Sequence, residues 1–148
     1  MFIPMHLKLQ TDYALRVLLY LGYAGRAAPV DEMARAFDIS REHLVKVVQA
    51  LVRRALVITR PGRGGGVELL PAGRKATVGE VVAHFEGRRT VLPCVLQPKT
   101  CVLEPGCDLR RLLMSAEDAF YAALAGTTIA DLARPSGKHG GLRHLALS

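Results

Sequence analysis

Cys94, Cys101 and Cys107 stand in one short segment with the spacing C-x6-C-x5-C, interleaved with Pro93, Pro98 and Pro105. Thiolates are soft ligands, and three of them in a loop free to wrap can converge on a soft metal centre. The spacing is not the paired CxxC of a structural zinc site, and it is too open for a dithiol redox motif. On spacing alone, iron–sulfur ligation, zinc ligation and unliganded or redox-switch thiols all stay open. The odd cysteine count argues against a closed, secreted disulfide framework.

The second chemistry is charge. The chain has 148 residues with 20 Lys+Arg against 13 Asp+Glu, net +7. Residues 40–75 hold eight basic side chains (Arg41, Lys46, Arg53, Arg54, Arg60, Arg63, Arg74, Lys75) against Glu42 and Glu68, so six of the seven net charges sit there. So local a concentration marks a face for a polyanion, nucleic acid rather than membrane. PGRGGG is no nucleotide loop, because Gly-Lys-Ser/Thr does not follow it before a helix. No Ser/His/Asp or Cys/His constellation suggests an enzyme. The most apolar run, LRVLLYLGYAG from Leu15, is too short to cross a bilayer and contains Arg16, and no targeting segment is visible. A cytoplasmic protein with reduced thiols is expected.

The elements that position these residues follow from periodicity. A helix is expected from Asp12 to about Tyr23, with Thr11 or Asp12 as its N-cap and Gly22 or Gly25 as its stop. A short helix follows over Val30–Phe37. After the tight connection Asp38-Ile39, Ser40 caps a helix running to about Ala55. Its apolar face is Leu44, Val47, Val48, Leu51 and Val52, leaving Arg41, His43, Lys46, Gln49 and Arg53 largely outward. VITR and VELL flank PGRGGG as a hairpin, and Pro71-Ala-Gly73 is expected to break the chain. A helix from Thr77 or Val78 to Phe85 leads into an irregular loop over Arg88–Cys107. Asp108 then caps a long helix to about Leu124, and a short one covers Thr128–Ala133. The fold class is therefore mainly α with a small β wing. Residues 5–75 form a winged helix–turn–helix, 76–107 a connecting helix and cysteine loop, 108–134 a dimerisation helix with a short C-terminal helix, and 135–148 a mobile tail.

In such a fold the second helix of the pair enters the major groove and the hairpin reaches the backbone or minor groove. Ser40, Arg41, Glu42, His43 and Lys46 are the candidate contacts on the helix, and Arg60, Arg63, Gly64 and Gly65 those on the wing. Each basic residue taken singly reads as a solvated side chain; their combination with the hairpin favours DNA.

LQTDYALRVLLYL, DISREHLVKVVQALVRRALV, RPGRGGGVEL and TVGEVVAHFEG, followed by three loop cysteines, resemble the Rrf-two family of bacterial regulators over about residues 5–134. The resemblance implies a homodimer, paired through the long helix after the cysteines, whose iron–sulfur cluster controls affinity for an operator. Branches of the family differ in the fourth ligand. The IscR-like branch has a His three positions after the third cysteine, where this chain has Arg110. A branch with Glu and His in the first helix would need His in place of Arg16. The likeness is to the NsrR-like, nitric-oxide-sensing branch. It implies a 4Fe-4S cluster held by Cys94, Cys101, Cys107 and Asp12 of the partner subunit, with 2Fe-2S or zinc as alternatives. On the same resemblance Arg16 is a candidate neighbour of the cluster, the operator is roughly palindromic, and nitric oxide relieves repression. A plain helix-start role competes for Asp12, since an acidic residue there offsets the helix dipole.

Overall fold

Apolar residues three and four apart through LQTDYALRVLLYLGYA make α1 (Leu9–Ala24) the buried axis of the protein. In this computed structural model, which describes residues 6–87, 94, 97, 99 and 101–134, Ala14, Val17, Leu18 and Leu21 are fully buried and Tyr20 nearly so. The helix begins three residues before the expected Asp12. Neither Thr11 nor Asp12 caps it; Lys8 occupies the cap position without a side-chain bond. Thr11 is instead fully buried, its hydroxyl engaged by Glu86. Gly25 ends the helix as expected, its N–H donating to the Leu21 carbonyl at 3.1 Å.

α2 (Val30–Phe37) and α3 (Arg41–Arg53) form the helix–turn–helix. Asp38 makes the turn in the left-handed region, φ 53°, and Ser40 Oγ accepts the His43 N–H at 3.3 Å as the α3 N-cap. Met33 and Ala34 from α2 and Leu44, Val47, Val48 and Leu51 from α3 join α1 in the core. Val52, expected on that face, is exposed, because one residue beyond Leu51 is roughly 100° further around the helix. Between α1 and α2, Tyr20 Oη donates to Glu32 at 2.6 Å, and Arg26 pairs with the same carboxylate at 2.8 Å. Burial and the Glu32 carboxylate push the Tyr20 phenol up to about 12, while the Arg26 hydrogen bond holds Glu32 below the usual carboxylate range.

β1 (Val57–Arg60) and β2 (Gly66–Leu69) pair antiparallel from Val57↔Leu69 to Arg60↔Gly66, giving the expected wing. Its root is broader than the two runs suggest. Ala28 exchanges backbone hydrogen bonds with Val67 at 2.9 and 2.8 Å, so the α1–α2 connection lies against β2 as a third, one-residue strand. Gly66 permits this approach: its φ is 127°, and a Cβ there would lie 2.5 Å from the Ala28 carbonyl oxygen.

The chain does not break at Pro71. Pro71–Lys75 forms α4, with proline in the first turn, where its missing N–H would be unbonded anyway. α5 (Val78–Glu86) opens on a reciprocal capping box between Thr77 and Glu80, which lowers the Glu80 pKa through the bonds from Thr77. α6 (Asp108–Ala125) is the expected long helix, but Asp108 is its first residue and Cys107 its N-cap, with Sγ accepting the Arg110 N–H at 3.5 Å. α7 (Ile129–Leu132) carries a second capping box, Thr128 with Asp131, and is tied beside α5 by Val78 N–H to Thr127 and Ile129 N–H to Ala76, both 2.9 Å. α6 packs on α5, yet none of its residues is fully buried, and Leu109, Leu112, Met114 and Phe120 remain exposed. The expected mobile tail over 135–148 lies outside the described residues, as does part of the expected irregular loop. Among the described residues no helix is long and apolar enough to cross a membrane.

Candidate DNA interface and metal centre

Core packing along Leu44, Val47, Val48 and Leu51 forces the other side of α3 outward, so Arg41, Glu42, His43, Lys46 and Gln49 are all exposed, with Ser40 exposed at the cap. Arg41 Nε pairs with Asp31 of α2 at 2.8 Å, and Lys46 pairs with Glu42 at 3.0 Å. Lys46 also holds the Glu42 carboxyl below its usual range. On the wing, Arg60 pairs across the hairpin with Glu68. Arg63 and Gly64 are exposed at the tip, and Arg63 has no ion pair with any described residue. Gly65 closes the turn, since a Cβ there would meet the Arg60 carbonyl oxygen at 2.3 Å. Exposed ion pairs are worth at most about 1 kcal/mol. Arg41, Lys46 and Arg60 can therefore exchange their carboxylates for phosphates at little cost.

Cys94, Cys101 and Cys107 are free thiols, each half-buried. Their loop is organised by a residue that spacing did not single out. Glu104 is the sole acidic residue between Arg88 and Cys107. Its carboxylate accepts the Lys99 N–H and pairs with Arg110 Nη1 at 3.4 Å, while its own N–H donates to the Cys101 carbonyl at 3.2 Å. The turn from Cys101 to Cys107 is thus closed around Glu104 and fastened to the first turn of α6. Arg110 Nε is buried without a hydrogen-bond partner.

Asp12 is half-buried in the first turn of α1, and its carboxylate is gripped by Arg16 of the next turn, Nε to Oδ1 at 3.0 Å and Nη2 to Oδ2 at 2.9 Å. The Arg16 guanidinium also lies 5.9 Å from the Phe37 ring centroid, over α2. One residue earlier, Thr11 Oγ1 donates to buried Glu86, whose same oxygen accepts the Lys8 N–H at 2.8 Å. The Lys8 ammonium returns to the Phe85 and Glu86 carbonyls at 3.0 and 2.9 Å. Glu86 is the last residue of α5, so this latch joins the start of α1 to the stem of the cysteine loop. Its only sequence signal was an acidic residue at the end of an apolar helix.

Among the described residues no three His, Cys, Asp or Glu side chains gather in metal-holding geometry. The donor set nevertheless suits an iron–sulfur cluster: three unoxidised thiols, one carboxylate not used as a cap, and a buried cationic donor lacking an acceptor.

A helix–turn–helix with a glycine-tipped basic wing, followed by a thiol-bearing loop, defines a winged-helix DNA-binding protein with a candidate metal centre. The family model described as Rrf2, iron-dependent transcriptional regulator, matches residues 7–135. The chain belongs to this family and is a transcriptional regulator rather than an enzyme. It is 37% identical over 131 residues to the HTH-type transcriptional regulator NsrR of Oceanobacillus iheyensis, covering 86% of this chain and 89% of that one. It is 37% identical over 131 residues to the HTH-type transcriptional repressor NsrR of Streptomyces coelicolor, covering 86% and 88%. Among solved structures, Staphylococcus aureus CymR in its oxidised form superposes with a TM-score of 0.70 at 21% identity, covering 90% of this chain and 99% of that one.

Proposed function

We propose that the chain is a cytoplasmic, homodimeric repressor of the NsrR type, binding a roughly palindromic operator and releasing it on exposure to nitric oxide. Cys94, Cys101, Cys107 and Asp12 of the partner subunit would hold a 4Fe-4S cluster. The observation that carries the reading is the cysteine loop itself: three free, half-buried thiols in a segment joined directly to α6 and, through α5 and Glu86, to α1. The likeness to NsrR proteins supports the choice of signal.

A bound cluster supplies iron that reacts with nitric oxide. The chain's own residues do the rest. The three thiolates would hold the group and so fix the loop, and Cys107 also caps α6. Glu104 and Arg110 hold the turn between the second and third cysteines. A carboxylate is a harder and weaker ligand for iron than thiolate, so Asp12 of the partner subunit would be the ligand most readily exchanged. Loss of the loop's fixed shape passes through Glu86 to α1, which packs directly on α3. A small displacement there changes the spacing of two recognition helices in a dimer, and half-site spacing is what a palindromic operator reads.

Iron and sulfide analysis of anaerobically purified protein, with operator binding before and after nitric oxide, tests the proposal. Iron and sulfide in equal amounts with nitric-oxide-sensitive binding is expected; equal operator affinity of the cluster-loaded and nitric-oxide-treated forms overturns it.

A further inference from the structure

We propose that Arg110 donates a hydrogen bond from Nε, together with its positive charge, to the sulfur-rich group that the cysteine loop gathers, and that it thereby sets the potential and lability of that group. The proposal rests on the cluster reading above.

Three observations converge on Arg110. First, its Nε is buried and has no acceptor, a state that native interiors rarely leave uncompensated. Second, the side chain is not free to leave the loop: Nη1 is held by Glu104 at 3.4 Å, and that carboxylate is itself fixed by the Lys99 N–H. Third, Arg110 is one helical turn from Cys107, and its backbone N–H already donates to Cys107 Sγ at 3.5 Å. The guanidinium is thus anchored on one side and unanswered on the other, beside the segment that carries the second and third thiols. The missing partner must be an acceptor, and thiolate or sulfide sulfur bears the negative charge that such a donor seeks.

A guanidinium is always protonated and has no lone pair to give a metal, so Arg110 is not a ligand. Its role is positioning and electrostatic. A fixed cation and donor beside a negatively charged cluster favours the form with the extra electron and strengthens retention of the thiolates. It also gives Glu104 a function, since the carboxylate aligns the guanidinium and closes the Cys101–Cys107 turn.

The test compares wild type with Arg110→Gln and Arg110→Lys, each reconstituted anaerobically with iron and sulfide. The readouts are the midpoint potential and the rate at which a ferrous chelator strips iron. Arg110→Gln is expected to lower the potential and speed iron loss roughly tenfold, about what one charge-assisted hydrogen bond contributes. Arg110→Lys keeps the charge but loses the planar fork, so its potential stays near wild type while iron loss still accelerates. Circular dichroism of the apo proteins separates a folding defect, and if Arg110→Gln does not fold, the chelator rate of Arg110→Lys decides. Wild-type potential and stripping rate in the folded Gln variant overturn the role, as does a wild-type stripping rate in the Lys variant if that one decides. A wild-type protein that takes up no iron or sulfide removes the cluster reading and this role together, whereas one that loads normally while the variants behave identically removes only Arg110.

Discussion

Glu86→Ala offers the sharpest measure of how the cysteine loop is coupled to the DNA-binding core. Glu86 is 7% exposed, and one of its carboxylate oxygens accepts both the Thr11 hydroxyl, itself fully buried, and the Lys8 N–H. Truncation leaves both donors without this acceptor. A buried donor stripped of its partner costs about 1–3 kcal/mol, and water reaching half-buried Lys8 lowers that share, so the total is about 3 kcal/mol. For a chain of this size that corresponds to a fall in Tm of roughly 10 °C. Glu86→Gln keeps an acceptor oxygen for both donors and loses only charge, so its cost is closer to about 1 kcal/mol.

The assay is chemical denaturation of the apo protein, run as a double-mutant cycle with Thr11→Val. Removing the Thr11 hydroxyl first takes away one orphan, so Glu86→Ala then costs less, by a coupling of at least about 1 kcal/mol. If the two substitutions add to within about 0.5 kcal/mol, Thr11 and Glu86 do not interact energetically and the latch from α5 to α1 is not real.

Three further outcomes follow from the same geometry. Arg63→Ala should weaken operator binding nearly uniformly across sequences and reduce the slope of log K against log salt by about 1, one phosphate contact's share; an unchanged slope in a filter-binding salt series places Arg63 away from the backbone. Gly65→Ala should lower operator affinity because its Cβ would lie 2.3 Å from the Arg60 carbonyl oxygen and deform the wing tip; wild-type affinity with an unchanged melting profile would show that the turn accommodates it. Burial, and then the Arg54 and Arg53 charges, hold the His84 imidazole below its ordinary pKa, so below pH of about 6.5 the unfolded chain takes up a proton more readily and stability falls. His84→Gln should flatten that decline between pH 6.5 and the folded-state pKa, and a decline identical to wild type in denaturation at stepped pH counts against it.

The helix–turn–helix and wing were legible because both rest on local rules. Leu44, Val47, Val48 and Leu51 mark one helical face, Ser40 is a strong cap, and glycine between two β-branched runs makes a hairpin. Part of what escaped the sequence involved partners far along the chain, and part was local chemistry that the usual rules pass over. Thr11 looked like a cap because caps are local; its real partner is 75 residues away. Pro71 looked like a breaker, though proline at a helix start costs nothing. Asp108 looked like the cap of α6 because cysteine is an unusual acceptor, yet Cys107 takes that place. Glu104 and the unanswered Nε of Arg110 carried no pattern, and Glu86 only that of an acidic residue ending an apolar helix, since a carboxylate or guanidinium becomes structural only through where the fold brings it.

On the proposed reading the site is shared between two subunits. Within one protomer the described thiols and carboxylates do not gather around a metal. Asp12 sits 40% exposed on α1, balanced by Arg16, whose guanidinium is steadied over Phe37. A carboxylate held in this way is oriented without being committed to its own helix end. α6 meanwhile presents Leu109, Leu112, Met114 and Phe120 to solvent, an apolar surface that a second copy of the helix would cover. In the proposed dimer, paired through α6, Asp12 of the partner subunit would supply the ligand missing from one copy. Each cluster would then fix its own loop and the partner's α1, and that α1 packs on the partner's recognition helix. Losing one cluster would therefore loosen both DNA-reading units, a coupling that a ligand set confined to one chain could not provide.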